Sequence, residues 1–252
     1  MNKLCKVILA SVLFVLVVFG VQPSRAESDS FAGMKERAVE CGVSSEVLNE
    51  VGELVKAGTF SDDEGTALVT PLFAACEKKL PIAPLQDKLA EGLAKQVAPL
   101  RIGLALQVKL NAYENARRLL NRHLEPVASD VLIIVGEGLS RGVSEHDFEA
   151  YLAKFYGQPP EIFLTGAEMI SLLGQIDFDP EQTRSMLKAG FASGGLTPQW
   201  RYLVRVVLIA RQRGISDNVI GEVSSGVLSE MGTVNDVSAR LGFTSRSMTG
   251  KK

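Results

Sequence analysis

The chain of 252 residues carries 27 basic and 29 acidic side chains for a formal net charge of −2, with 46% hydrophobic residues and three cysteines. A balance so near neutrality disfavours nucleic-acid binding, which needs a concentrated basic footprint. The length is enough for one or two domains with a substantial core.

Lys3 and Lys6 precede an apolar run from Val7 to Val21, which gives way to Pro23 and then Ser24-Arg25-Ala26. A spanning helix needs about 18 to 20 apolar residues, so this basic start, short apolar run and small-residue ending predict a secretory signal peptide over residues 1–26. An uncleaved anchor is the alternative. Cleavage would remove Lys3, Lys6 and Arg25 and no acid, taking the net charge from −2 to −5. Residues 27–99 then hold 13 acids against 7 bases, and residues 100–252 hold 16 against 17. The expected location is exported, in a periplasm or outside the cell. Only Cys41 and Cys76 remain after residue 26, and in an oxidising compartment they are candidates for a disulfide worth roughly 3 to 4 kcal/mol on the chain-entropy account. Two buried free thiols are the other outcome.

The elements that follow read as helices. One runs from Ser28 to Val43 and ends at Gly42; Ser44 opens a second through Val47, Leu48, Val51, Leu54 and Val55. Ser61 with Glu64 three residues on is a capping box for a third, through Leu68, Leu72, Phe73 and Cys76, which Pro71 should kink or divide. After the turn at Leu80-Pro81-Ile82-Ala83-Pro84, the residues Leu85, Leu89, Gly92, Leu93 and Val97 share a helical face. From Pro99 to His123 one long helix is predicted, its first half, Leu100 to Leu110, apolar almost all round and so expected to be buried on several sides.

The stretch Glu91-Gly92-Leu93-Ala94-Lys95-Gln96-Val97 returns as Glu137-Gly138-Leu139-Ser140-Arg141-Gly142-Val143, with weaker copies at Ile209 to Ile215 and at Ala38 to Val43. Glycine inside a helix costs on the order of 1 kcal/mol relative to alanine. Gly92, Gly138 and the matching Ala210 are therefore expected to be positions where helices cross closely, a ligand passing over the glycine being the alternative. Ser144 with Asp147 starts a helix bearing Phe148, Tyr151, Phe155 and Tyr156. Aromatics at this spacing belong either to the core or to an exposed patch for a partner, and the four are a candidate partner patch. A helix from Phe163 to Ile176 follows, then starts at Asp179-Pro180, Thr197-Pro198, Ser216 and Thr233 with Asp236. Thr244 to Lys252 reads as a frayed tail.

Matches at a spacing of 118 residues, such as Phe60-Ser61 with Phe178-Asp179 and Ile102-Gly103 with Ile220-Gly221, suggest two related halves. The fold expected is all-α: an array of antiparallel helical hairpins, solenoid-like or bundled, about ten helices in one domain over 27–243 with halves 27–124 and 125–243.

No motif for catalysis, cofactor or metal rises above background. His123 and His146 lack metal spacing, and no P-loop, G-x-G-x-x-G or G-x-S-x-G sits in the right context. Asp177-Phe178-Asp179 begins like a calcium loop, but the glycine and glutamate required later are Gln182 and Lys188. Trp200 reads as a packed ring, and Arg201, Arg205, Arg211 and Arg213 as a solvated basic side. The expected function is a binding or scaffold module for a protein or cell-envelope partner, with no cofactor. A helical carrier of a lipid or other hydrophobic ligand is the alternative, motivated by Leu100 to Leu110 and the aromatics, and an enzyme with a site not visible in sequence is the second.

Overall fold

A computed structural model describes residues 30–243. The signal peptide predicted over 1–26 and the tail over 244–252 lie outside the described residues. Within them the chain forms twelve α-helices and one 3₁₀ helix, and no strand is present among the described residues. The helices are α1 (Phe31–Glu40), α2 (Ser45–Lys56), α3 (Asp62–Glu77), α4 (Ala83–Ala94), α5 (Pro99–Leu120) and α6 (Ser129–Ser140). They continue as α7 (Glu145–Phe155), α8 (Pro160–Gly174), α9 (Pro180–Ser193), the 3₁₀ helix Pro198–Tyr202, α10 (Leu203–Gln212), α11 (Asp217–Ser229) and α12 (Val234–Arg240).

Local chemistry sets many of the boundaries. At α3 the Ser61 hydroxyl accepts from the Glu64 amide while the Glu64 carboxylate accepts from the Ser61 amide at 2.8 Å, a closed capping box. At α9 the Asp179 carboxylate accepts from the amides of Glu181 and Gln182, and at α12 the Asp236 carboxylate accepts from the Thr233 amide at 2.7 Å. Thr197 does not cap with its side chain; the 3₁₀ turn holding the buried Trp200 intervenes before α10. Helix α3 continues through Pro71 without the division expected, with the ring buried.

The recurring stretch is a helix ending of one kind. The Val97 amide donates to the Gly92 carbonyl at 3.0 Å, Val143 to Gly138 at 3.0 Å, Ile215 to Ala210 at 3.1 Å and Val43 to Ala38 at 3.0 Å. The same six-residue closure joins Leu80 to Ala75, Phe178 to Leu173 and Phe243 to Ser238. In each, an apolar residue just past the helix donates back over a residue with positive φ, which is the Schellman arrangement. The left-handed position is Gly142 in one copy and Gln96, at φ 53°, in the other.

Small residues in these endings also admit neighbouring helices. A Cβ on Gly92 would lie 2.8 Å from the Ile102 side chain of α5, and one on Gly138 would lie 2.7 Å from the Phe148 ring of α7 and 3.0 Å from the Ser171 hydroxyl of α8. Ala210 is fully buried. Helix-to-helix packing runs from α1 to α3, α3 to α5, α5 to α6, α6 to α8 and α8 to the 3₁₀ helix, with α9 against α11.

Four of these neighbours are tied at their C-terminal ends. Cys41 and Cys76 stand at disulfide distance, their α-carbons 5.9 Å apart, joining the end of α1 to the end of α3. Arg117 of α5 donates to the carbonyls of Lys78 and Lys79 beyond α3. Arg141 beyond α6 donates to the Gln175 side chain beyond α8 at 2.8 Å. Arg211 of α10 donates to the carbonyls of Ile176 and Asp177 at 2.5 and 2.9 Å. Arg117 and Arg211 satisfy carbonyls that a helix end leaves without partners.

Two sequence expectations are corrected here. The aromatics of α7 belong mainly to the core: Phe148, Tyr151 and Phe155 are buried, Tyr151 and Phe155 stack among Phe163 and Phe191, and the Tyr151 hydroxyl donates to the Phe163 carbonyl. Tyr156 alone of the four is exposed, so they form no exposed partner patch. The first half of α5 is the reverse case. Ile102, Leu106 and Leu110 are buried as expected, but Leu100, Leu104 and Val108 are 73, 59 and 57% exposed. Neighbouring helices cover one face of α5 and leave the other open.

Candidate functional site: the open face of α5

Leu100, Leu104 and Val108 are spaced four apart, so they stand one above another along a single face of α5. Arg101, Gln107 and Asn111 flank them and are also exposed. Scattered exposed aliphatics are ordinary on a soluble protein, whereas an aligned row of three is a contiguous apolar surface.

A groove lies on each side of this crest. On one side α3 contributes Ala67, Thr70 and Pro71 opposite Leu100, Gly103 and Leu104, enclosing about 580 Å³. On the other side α4 and α6 form walls around a floor of Leu104, Ala105 and Val108, enclosing about 660 Å³. The walls of that second groove are the two strongest copies of the recurring helix ending, with Glu91 on one and Glu137 on the other. The space between the copies is thus a surface feature, while their glycines are occupied by packing.

The Glu137 wall is an organised polar cluster. Its carboxylate meets Lys109 at 2.5 Å, accepts from the Tyr113 hydroxyl at 2.8 Å and lies 3.3 Å from Arg141. Burial pushes this carboxyl up, but the hydrogen bonds from Lys109 and Tyr113 and the charges of Lys109 and Arg141 outweigh it and hold the group below the ordinary carboxylate range. Burial and the adjacent carboxylate push the Tyr113 hydroxyl well up, so it stays a donor. On the opposite wall the exposed Glu91 is held down to about 2 by hydrogen bonds from Lys95 and Lys88. These acids are all paired, so none is available as a general base.

Around the crest, Arg101, Asp87 and Asp63 make no side-chain hydrogen bond or ion pair among the described residues. Asp63 and Asp87 line the two grooves and Arg101 lies on α5 itself. The surface therefore offers an apolar row with one free cation and two free acids at its margins.

The other residues singled out from sequence are engaged structurally. His123 Nε2 lies 2.9 Å from Glu149, which also pairs with Arg122 at 3.1 Å, and His146 sits in the first turn of α7, its amide donating to Ser144. Arg211 pairs with Asp217 at 2.7 Å as well as with the Ile176 and Asp177 carbonyls beyond α8, and Arg213 lies over the Phe243 ring. Among the described residues no three His, Cys, Asp or Glu side chains are grouped to hold a metal ion, and no described helix is long and apolar enough to cross a membrane. A cavity of about 60 Å³ beside Tyr151, Phe155 and Phe178 has room for a couple of water molecules, not for an acyl chain.

The open row had a signature in the sequence. The buried row of α5 continues apolar through Tyr113, Ala116 and Leu119, whereas the row of Leu100, Leu104 and Val108 runs on into Asn111 and Asn115. A face that turns polar along its length is a face toward solvent. No protein-family model, no curated protein and no solved structure matches this chain.

Proposed function

We propose that this protein is an exported, non-enzymatic binding or scaffold module whose working surface is the open face of α5. The observation that carries the reading is the aligned exposure of Leu100, Leu104 and Val108 between two grooves. Removing such a row from water stabilises a complex in proportion to the apolar area covered, and a protein surface with its own apolar row is the partner that uses all three positions. Export rests on the N-terminal 26 residues as read from sequence and is compatible with the bonded spacing of Cys41 and Cys76.

The same reading includes a repeat-built architecture. Shifting the helix starts 31, 45, 62 and 83 by 98 positions gives 129, 143, 160 and 181, against observed starts at 129, 145, 160 and 180. Lys79 and Asp177, both with positive φ, correspond under this shift, as do the carbonyls held by Arg117 and Arg211. The packing of α1 on α3 recurs as α6 on α8. A shift of 98 therefore supports halves that meet between α5 and α6, and it replaces the 118-residue spacing, which sets α1 and α3 against α7 and α9. The open face then belongs to the last helix of the first half.

Affinity-tagged protein recovered from its host tests the function. Wild-type chain is expected to carry a partner polypeptide at near-equal amount, and Leu104→Glu to lose it while keeping its helical content. Equal recovery with both proteins would contradict the assignment of the α5 face.

A further inference from the structure

We propose that a second copy of this chain covers the α5 crest, docked antiparallel with Leu104 at the centre. The inference rests on the reading of the crest as the working surface and names its occupant.

The row is nearly symmetric about its middle. Leu100 and Val108 lie four residues either side of Leu104, about 6 Å along the axis in each direction. Turning a second copy end for end about Leu104 sets Leu104 against itself and brings Leu100 of each chain to the height of Val108 of the other, on the neighbouring flank of the same crest. All six aliphatic side chains then leave water together.

The margins agree with this arrangement. At about 100° per residue, Arg101 is offset about 60° from Leu104 toward the side of Ala105 and Val108, the side walled by α4. Asp87 lines that wall beside Ala105 and Val108. A twofold axis across the helix preserves this side and reverses the direction, so Arg101 of one copy is brought over the stretch from Ala105 to Val108 and its flanking Asp87 in the other. Two equivalent ion pairs result from groups that have no partner among the described residues. The antiparallel sense also opposes the two α5 dipoles, which a parallel docking would align. An anionic membrane surface is disfavoured because both free acids, Asp63 and Asp87, border the same row.

Sedimentation equilibrium of the exported chain purified from its host tests the proposal, with circular dichroism to verify the fold of each variant. The wild type is expected to dimerise. Leu104→Glu is expected to weaken the dimer by at least ~100-fold, since two central side chains are lost per complex. Arg101→Asp and Asp87→Arg are each expected to weaken it by about 10-fold, and the two together to return it to within about threefold of the wild type. A wild-type chain monomeric at about 1 mM, or a double variant no better than either single one, overturns the proposal. Recovery with Asp63→Arg in place of Asp87→Arg overturns the antiparallel docking. If the chain is monomeric and tagged protein still captures a different polypeptide through Leu104, the second copy fails and the working surface stands. If neither association occurs, both fail.

Discussion

The crest of α5 and the aromatic cluster of α7 and α8 are equally apolar in sequence and opposite in the fold. Phe148, Tyr151 and Phe155 are enclosed by α8 and Phe191, while Leu100, Leu104 and Val108 stand open. The difference does not lie in how apolar the residues are. It lies in how many faces of each helix find a neighbour: α5 is covered by α3, α4 and α6 on its Ile102 side, and the described residues provide nothing for the other side. Hydrophobic content therefore identifies candidates for burial, and only packing decides which of them remain available to a partner.

The strongest way to break this contrast is to truncate one residue of each region. In protein dilute enough to be monomeric, Phe148→Ala is expected to destabilise the fold by about 3–5 kcal/mol, because a fully buried ring leaves a cavity, whereas Leu104→Ser should stay within about 0.5 kcal/mol as a surface change. Urea unfolding of the two variants measures both, and similar losses would show that the crest is buried in the isolated chain.

Lys109→Met sharpens the polar margin of the site. It leaves Glu137 partly buried without its nearest cation, a loss of about 1–3 kcal/mol at neutral pH. With its folded pKa lowered, Glu137 contributes stability that is present above its unfolded value and lost as pH falls through the folded one. The variant should thus fall furthest behind the wild type near pH 7 and approach it as the pH drops below the lowered folded pKa of Glu137, where the carboxyl is protonated in both. A deficit constant with pH would mean that Lys109 acts through packing alone.

A smaller effect separates the two copies of the recurring stretch. Gly138→Ala drives a methyl into the fully buried Phe148 ring and is expected to cost about 1–3 kcal/mol despite alanine's higher helix propensity. Gly92→Ala meets the side chain of Ile102 alone, whereas Gly138 is closed by both Phe148 and Ser171, and should cost less. Thermal denaturation ranks the pair, and the reverse order would contradict the packing described for α4 and α6.

What the sequence revealed follows the range of the interactions involved. The capping box of Ser61 and Glu64, the Asp179 cap and the end of α6 at Gly142 are decided within a few residues, and all are legible in the chain. The approach of Cys41 to Cys76 was legible as a pairing of the two remaining thiols, but not its place between α1 and α3. The holds of Arg117 and Arg211 on helix ends 34 to 39 positions earlier carry no local signature, and a basic side to α10 is all that its arginines suggest in isolation. The open face of α5 falls between these cases: its polar continuation at Asn111 and Asn115 was visible, but the apolar composition of Leu100 to Leu110 pointed to burial.

A photo-crosslinking residue placed at position 104 of the full-length chain in its own host, with a second at the exposed position 156 for comparison, tests the role of the α5 face most directly. The account predicts one discrete protein adduct from position 104, of the mass of a second copy of this chain, and none of comparable yield from position 156. No discrete adduct at 104, or the same adducts from both positions, would contradict it.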